Sequence, residues 1–438
     1  MNSYKITDLG LGPNGGFPIV TAINDKGIAV GRLGASAIRY DGSLQRLPGP
    51  SGFSQGDVAT GINDGTPEII SGHVGGLTGL SRAAVWIDEE YHDLHEQLKK
   101  KQVNLTRSWV CDVNDKGIVV GRAQNKAFRL NIVIDEVEFL SITDPFIIGT
   151  INTHGNVVGW TSLPGEPFGA AFLYDSTTNL LPTPSAGGIV ITDKFDINDS
   201  DVVVSNYQIG PEGRSHAFLY DHETKTSIDI HPPDFEASYA CRINNQNQVV
   251  GWATNDYGLC ATLWTLEDGT QRLNDLLTDP ITEWDLLEAY DINDKGQIVG
   301  YGTYSGQPRG FLLTPVETPA TSIDLSLGEL KMEAKIIWLP GGIGVRVGGG
   351  FIYPKGPPVD PDGRRELEPF QRDALTGLAI QALARNISDP EARLLAENSG
   401  NEVVRMAAGH GLSGRSAKPN RSGCLSLFLR RILMLLER

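Results

Sequence analysis

The sequence predicts an all-β fold: a seven-bladed β-propeller of four-stranded blades closed by its N-terminal strand, with a small C-terminal α-helical appendage. Three observations lead there. A pattern clearest in Ile23-Asn24-Asp25-Lys26-Gly27-Ile28-Ala29-Val30-Gly31 returns six more times before residue 301, centred on Asn63, Asn114, Asn152, Asn198, Asn244 and Asn293. The spacing, 38 to 51 residues, is that of propellers, solenoids and arrays. The seventh unit runs into Thr318-Pro319 without a good fourth strand, and Tyr4-Lys5-Ile6-Thr7-Asp8-Leu9 stands where the missing strand would be supplied. Closing the ring in this way removes exposed sheet edges, and no capping repeat of the kind a linear array needs is evident.

Each unit begins with an apolar β-type run, continues through Asn-Asp-Lys-Gly or a variant, and resumes in a β-branched run ending in Gly. Asn and Asp bond their own backbone in turns and Gly supplies φ > 0, so a two-stranded hairpin results. A later landmark, such as Ala84-Val85-Trp86, Ala127-Phe128-Arg129-Leu130 or Ala171-Phe172-Leu173-Tyr174, reads as the third strand. A more polar fourth follows, as in Leu44-Gln45-Arg46-Leu47, His92-Asp93-Leu94 and Gln271-Arg272-Leu273-Asn274-Asp275. Four strands per unit make one blade. Two units depart from the pattern: Gly65-Thr66-Pro67-Glu68 is inserted in the second, and Ser200-Asp201 and Ser205 stand at glycine positions in the fifth, so local distortion is expected there.

The units resemble those of the HAF-repeat family of bacterial proteins, with an I-N-x-x-G-x-[VI]-V-G core and an H-A-F-L-Y strand that His216-Ala217-Phe218-Leu219-Tyr220 matches residue for residue. The resemblance covers about residues 4 to 315. It implies an extracellular setting and no particular catalytic residues. By contrast, residues 1–3 lead straight into a strand with no basic or apolar leader, which predicts a cytoplasmic protein.

The net charge is −16, and the part before residue 320 holds 21 basic against 40 acidic side chains. A duplex nucleic-acid partner, whose phosphates require a basic face, is not expected. Cys111, Cys241, Cys260 and Cys424 are scattered without C-x-x-C spacing, which argues against a disulfide framework or a zinc site. No cofactor, metal or catalytic residue is assigned. The Asn and Asp of the repeat read as turn-makers. His92-Asp93-Leu94-His95-Glu96 is not H-E-x-x-H and reads as strand, where positions three apart face opposite ways. The run Pro340 to Gly350 has neither phosphate-loop nor dinucleotide spacing and reads as a glycine-rich hairpin or linker.

The candidate ligand-binding set is the residue after each second-strand glycine: Arg32, His73, Arg122, Trp160, Asn206, Trp252 and Tyr301. None is aliphatic, and such a ring offers hydrogen bonds and stacking surface to a protein, peptide or glycan on the propeller face. The competing reading is that Trp160, Trp252 and Tyr301 wedge between blades. Nearby loops, including Pro164-Gly165-Glu166-Pro167 and Thr254-Asn255-Asp256-Tyr257-Gly258, differ in length and chemistry, as functional loops on a regular scaffold do.

The domain reading is residues 1–318 for the propeller, 319–361 for a β-hairpin and Gly/Pro-rich linker, 362–412 for a helical module and 413–438 for a basic, apolar tail. Asp389-Pro390-Glu391 is a helix start. The segment 424–438 is apolar with arginines and too short to span a bilayer, which suits a membrane surface or a partner-helix contact. The sequence therefore points to a binding or assembly module. The alternative is a propeller hydrolase or lyase on the loop-rich face, with His73 and Glu166 as candidates.

Overall fold

Seven Asn-centred hairpins, each extended by two further strands, form seven antiparallel sheets in the computed structural model. The structure describes residues 3–316, apart from the segments 13–14, 51–55, 76–80, 102–104, 143–144, 163–168, 186–187, 191–193, 210–212, 256–257 and 279–282, and also the backbone of strands between 322 and 352. The innermost strands of blades 1 to 4 are Pro18–Ile23, Val58–Ile62, Ser108–Val113 and Pro145–Ile151. Blade 5 contributes Gly188–Val190 and Asp196–Ile197 in this place, blade 6 Ala237–Ile243 and blade 7 Trp284–Ile292. The outermost strand of blade 7 is Ser3–Asp8, paired antiparallel with Gln307–Val316 from Ser3↔Val316 to Asp8↔Phe311. The N-terminal strand thus completes the last blade and closes the ring.

The turn geometry follows from the repeat. In blade 1 the Asn24 side-chain oxygen accepts the N–H groups of Lys26 (3.1 Å) and Ile28 (3.0 Å), holding the turn that the left-handed Gly27 (φ 79°) completes. In blades 5 and 6 that left-handed place is taken by Asp201 (φ 56°) and Asn247 (φ 58°). These residue types tolerate it because their short polar side chains bond locally.

The second-strand glycine has a different cause. The innermost strand is bulged in six blades, with the register slipping for example between Val20 and Ala22, Val110 and Asp112, and Ala240 and Arg242. There a carbonyl lies over the neighbouring strand. A Cβ on Gly31 would stand 2.1 Å from the Ile19 oxygen, on Gly121 2.2 Å from that of Trp109, and on Gly251 1.8 Å from that of Tyr239. In blade 5 the innermost strand is split, and Ser205 fits in place of glycine, its hydroxyl donating to the Lys194 carbonyl at 3.0 Å. The expected distortion of the fifth unit is this split. In the second, the insertion is absorbed within the turn: the Asn63 side-chain oxygen accepts the N–H of Ile69 at 2.7 Å.

The core lies between blades. Seven buried clusters each join neighbouring sheets, such as Val30, Ala37, Ile70 and Trp86 at junction 1/2, and Tyr4, Leu263, Leu286 and Phe311 at junction 6/7. Burying each large side chain contributes about 1.5–3 kcal/mol before conformational entropy is counted, so cohesion of the ring rests on blade-to-blade packing.

Two local expectations are corrected. His92-Asp93-Leu94-His95-Glu96 is not continuous strand: the strand ends at Asp93, whose carboxylate accepts the N–H groups of His95 (2.9 Å) and Glu96 (3.3 Å) and caps the helix Leu94–Lys101. Leu94, His95 and Leu98 turn inward, and the capping aspartate outweighs the repeat pattern. Likewise Leu273–Leu276 is a 3₁₀ turn after the strand Gly269–Arg272.

The chain divides between Val316 and Glu317 into two units. The second holds a four-stranded antiparallel sheet of Ser322–Leu327, Leu330–Leu339, Gly342–Val347 and Gly350–Ile352. The expected hairpin of Ile336–Leu339 with Ile343–Val347 is part of it, with Ile336↔Val345 and Trp338↔Ile343 paired. The helical module at 362–412 and the tail at 413–438 lie outside the described residues.

Candidate functional site

The repeat turns carry more than local geometry. The Asn24 amide donates to the Asn63 carbonyl of the next blade at 3.1 Å, and the same link runs from Asn114 to Asn152, Asn152 to Asn198, Asn198 to Asn244, Asn244 to Asn293 and Asn293 to Asn24. Beside it, the Asp25 N–H donates to the Asp64 carboxylate at 2.7 Å, Asp64 to Asp115, Thr153 to Asp199, Asp199 to Asn245, Asn245 to Asp294 and Asp294 to Asp25. Each junction has at least one of the two links. Only 3/4 lacks the second kind among the described residues, because Thr153 has no carboxylate to accept there. The turn-making residues are therefore also a belt around the axis.

Just inside the belt, two residues before the Asn, stand Asp112, Asp196, Arg242 and Asp291. Asp112 accepts the Ile151 N–H (3.1 Å), Asp196 that of Ile243 (2.7 Å) and Asp291 that of Ile23 (2.7 Å), each on the next blade. The Arg242 Nε is 3.8 Å from Asp291. These groups line an axial cavity of about 180 Å³. Burial pushes the carboxyls of Asp112 and Asp291 up to about 7, with Arg242 opposing the rise, and raises that of Asp196. Burial likewise pushes Asp64 on the rim up to about 6. The sequence carried no repeat signal for this cluster, since only some blades hold an acid at that position. Among the described residues, no group of three or more His, Cys, Asp or Glu side chains is arranged to hold a metal ion.

The sign of the pH effect follows. The folded pKa of Asp112 lies above its unfolded value, so the folded protein holds a proton that the unfolded chain releases. Its contribution to stability is fully present below the ordinary carboxylate range and is lost as pH rises towards about 7. Asp112→Asn, which keeps an oxygen for the Ile151 N–H, is expected to lose less of its thermal midpoint than the parent between pH 5 and pH 8. Parallel slopes in the two melting series would contradict this.

The sequence-predicted residues lie toward the other end of the strands. The register sets Arg32 opposite Ile19, His73 opposite Val58, Arg122 opposite Trp109, Trp160 opposite Ile147, Trp252 opposite Tyr239 and Tyr301 opposite Glu288. They do not form one continuous ring. Asn206 is fully buried, its amide donating to the Ala240 carbonyl (3.0 Å) and its oxygen accepting the Ala240 N–H (2.6 Å) of blade 6. Trp160 packs into the cluster at junction 4/5. Burial lowers the pKa of His73, and its Nδ1 has no hydrogen-bond partner among the described residues.

Three half-exposed groups remain. Trp252 stacks on Tyr239 (5.2 Å, 23°) and meets Tyr290 of blade 7 edge-on (6.5 Å, 86°). Tyr301 lies 5.5 Å from Phe17 at junction 7/1. Arg107 and Arg122 sit over Trp109 at 6.0 and 5.7 Å. Tyr239, Tyr290, Trp109 and Arg107 were not singled out in the sequence, although the first three belong to innermost strands opposite or beside the candidate set and Arg107 directly precedes the innermost strand of blade 3. Glu166 lies outside the described residues, as do parts of the adjoining loops.

Two imidazoles resemble a catalytic constellation and are structural. The His95 Nδ1 lies 2.7 Å from the Ser108 hydroxyl, which accepts the Ala83 N–H, and His231, Ser238 and Ala217 repeat this arrangement between blades 5 and 6. Ser108 is fully buried, so it has no access to a substrate. A larger concavity, about 650 Å³, lies beside the N-terminal strand, lined by Leu9, Leu11, Leu33, Ile38, Tyr40 and Leu44 with Asp8 and Arg46.

A family model described as a protein of unknown function, DUF3466, matches residues 184–308. No curated protein matches the sequence. Among solved structures, the chain is similar to the extracellular domain of a candidate one component system from B. thetaiotaomicron, with 12% identity, TM-score 0.45 and coverage of 83% of this chain and 46% of that one. Others are dipeptidyl peptidase 4 of Porphyromonas gingivalis (9%, TM-score 0.39, 78% and 58% covered) and a gluconolactonase of Xanthomonas campestris (10%, TM-score 0.35, 70% and 99% covered). The chain spans about half the length, 46%, of the first.

Proposed function

We propose that the ring is a recognition module that takes a protein, peptide or glycan on the face bearing the loops between second and third strands. One observation carries this reading. At the belt end of the strands the polar groups are engaged in blade-to-blade hydrogen bonds, whereas at the other end aromatic and guanidinium groups stand half-exposed at junctions 3/4, 6/7 and 7/1. Aromatic rings with a polar partner are the side chains that dominate recognition surfaces.

The test is to screen the full chain on glycan and peptide arrays beside Trp252→Ala. The variant is expected to lose roughly tenfold or more in affinity, as truncation of an aromatic anchor costs about 2 kcal/mol, while melting cooperatively. Undiminished binding by Trp252→Ala, or no array binding by the parent, would overturn the reading.

A further inference from the structure

We propose that Tyr239, Trp252 and Tyr290, with Glu288, form a subsite of this face for an organic cation, the alkylammonium group of a lysine side chain, plain or methylated, on a peptide ligand; the inference rests on the recognition reading above. The rings come from two blades. Trp252 and Tyr239 are cross-strand partners on blade 6, stacked at 5.2 Å and 23°, and Tyr290 of blade 7 stands nearly perpendicular to the indole, 6.5 Å away at 86°. All three are half-exposed, and so is Glu288, two residues before Tyr290 on the same strand. Burial and a hydrogen bond to the Glu288 carboxylate raise the pKa of Tyr290, so the phenol stays neutral and donates to that carboxylate. A carboxylate has about four acceptor positions, and this one bond orients it while leaving the others for a ligand.

The carboxylate is what singles out this place. Of the innermost-strand residues set opposite the candidate set, Ile19, Val58, Trp109, Ile147, Tyr239 and Glu288, only Glu288 carries a charge. Its cross-strand partner is Tyr301, whose ring lies 5.5 Å from Phe17, so rings flank the acid towards both neighbouring blades. Aromatic faces and a fixed negative charge attract the same kind of group, an ammonium with apolar flanks. Blade 3 shows the pairing within the chain itself, where Arg107 and Arg122 lie over Trp109 at 6.0 and 5.7 Å. Over Trp252, Tyr239 and Tyr290 no side-chain cation lies among the described residues. The excess of acidic over basic side chains before residue 320 works in the same direction, drawing cations in and repelling anions.

The experiment screens the full chain, at low salt, on an array of Gly/Ser peptides that differ only at a central residue: lysine, trimethyllysine, glutamate or alanine. The lysine and trimethyllysine peptides are expected to bind, more weakly as sodium chloride is added, and about tenfold or more weakly with Trp252→Ala and with Glu288→Gln. Glu288→Gln keeps the shape of a half-exposed side chain, so it decides the matter should Trp252→Ala fail to fold. Asp268→Asn, which removes an exposed charge from the turn between the two outer strands of blade 6, is expected to leave binding unchanged. Trimethyllysine keeps the charge and donates no hydrogen bond, so its failure to bind would overturn the part given to the rings. No lysine binding, glutamate or alanine peptides bound as well as lysine, or lysine binding indifferent to Glu288→Gln overturns the subsite. If other array ligands are then still lost with Trp252→Ala, the recognition reading stands and only the cation inference fails.

Discussion

Removing residues 1–9 is expected to abolish cooperative folding of the ring. The segment supplies an entire strand, paired with Gln307–Val316 over six positions. Tyr4 is buried in the cluster at junction 6/7 and Leu9 in that at junction 7/1, so both sides of the last blade lose core at once. The Tyr4 carbonyl also accepts the Thr278 N–H, and the Leu9 N–H donates to Gly310. Burial of the two side chains contributes about 1.5–3 kcal/mol each, and each ladder hydrogen bond about 1 kcal/mol. The sum is comparable to the whole stability of an ordinary domain, about 5–15 kcal/mol. A circular-dichroism melt of the truncated chain should show no sharp transition, and gel filtration should show association through the exposed edge. A cooperative melt near the parent midpoint would mean that the ring does not depend on this strand.

Asn198→Ala is the second large effect. The Asn198 side-chain oxygen accepts the N–H groups of Ser200 (3.0 Å) and Val202 (3.1 Å), and its amide donates to the Asn244 carbonyl (3.1 Å) and to the Asn247 side chain (2.7 Å). The residue is 4% exposed, so water does not replace these partners. Leaving a buried polar group unsatisfied costs about 1–3 kcal/mol, and several are orphaned here, so a loss of roughly 3 kcal/mol or more is expected in denaturant unfolding. Asn198→Asp keeps the acceptor and loses the donors, and should fall between the two. A loss below about 0.5 kcal/mol, the range of ordinary surface changes, would contradict the belt.

These two results would test what the sequence revealed and what it did not. The period, the hairpins and the closing strand were legible because turn chemistry is local: an Asn followed three residues later by Gly is visible in one dimension. The double role of the same residues was not, since Asn24 and Asn63 meet only when blades pack 39 positions apart. Asp201 and Asn247 illustrate the difference. In sequence they are defects in a glycine pattern; in the ring their side-chain oxygens accept the amides of Asn152 and Asn198 at 2.7 Å. The axial group of Asp112, Asp196, Arg242 and Asp291 was equally hidden, because it arises from four blades that individually show one polar residue each. The candidate set was legible as a register position, but seven equivalent positions do not make seven equivalent environments. Asn206 is locked to blade 6, Trp160 joins a core, and Trp252 and Arg122 share their exposure with Tyr239 and Trp109.

The central claim is a division of labour between the ends of the strands: the Asn/Asp belt holds the blades together and, as proposed, the aromatic and arginine groups at the other end receive a ligand. Its most direct test is array binding of the full chain, measured beside thermal unfolding, for Asn198→Ala and Trp252→Ala. The account predicts that Asn198→Ala melts far lower yet, below its midpoint, binds the same ligands as the parent, whereas Trp252→Ala stays folded and loses them. Binding lost in Asn198→Ala while still folded, with Trp252→Ala unaffected, would contradict it and move the site to the belt end of the axis.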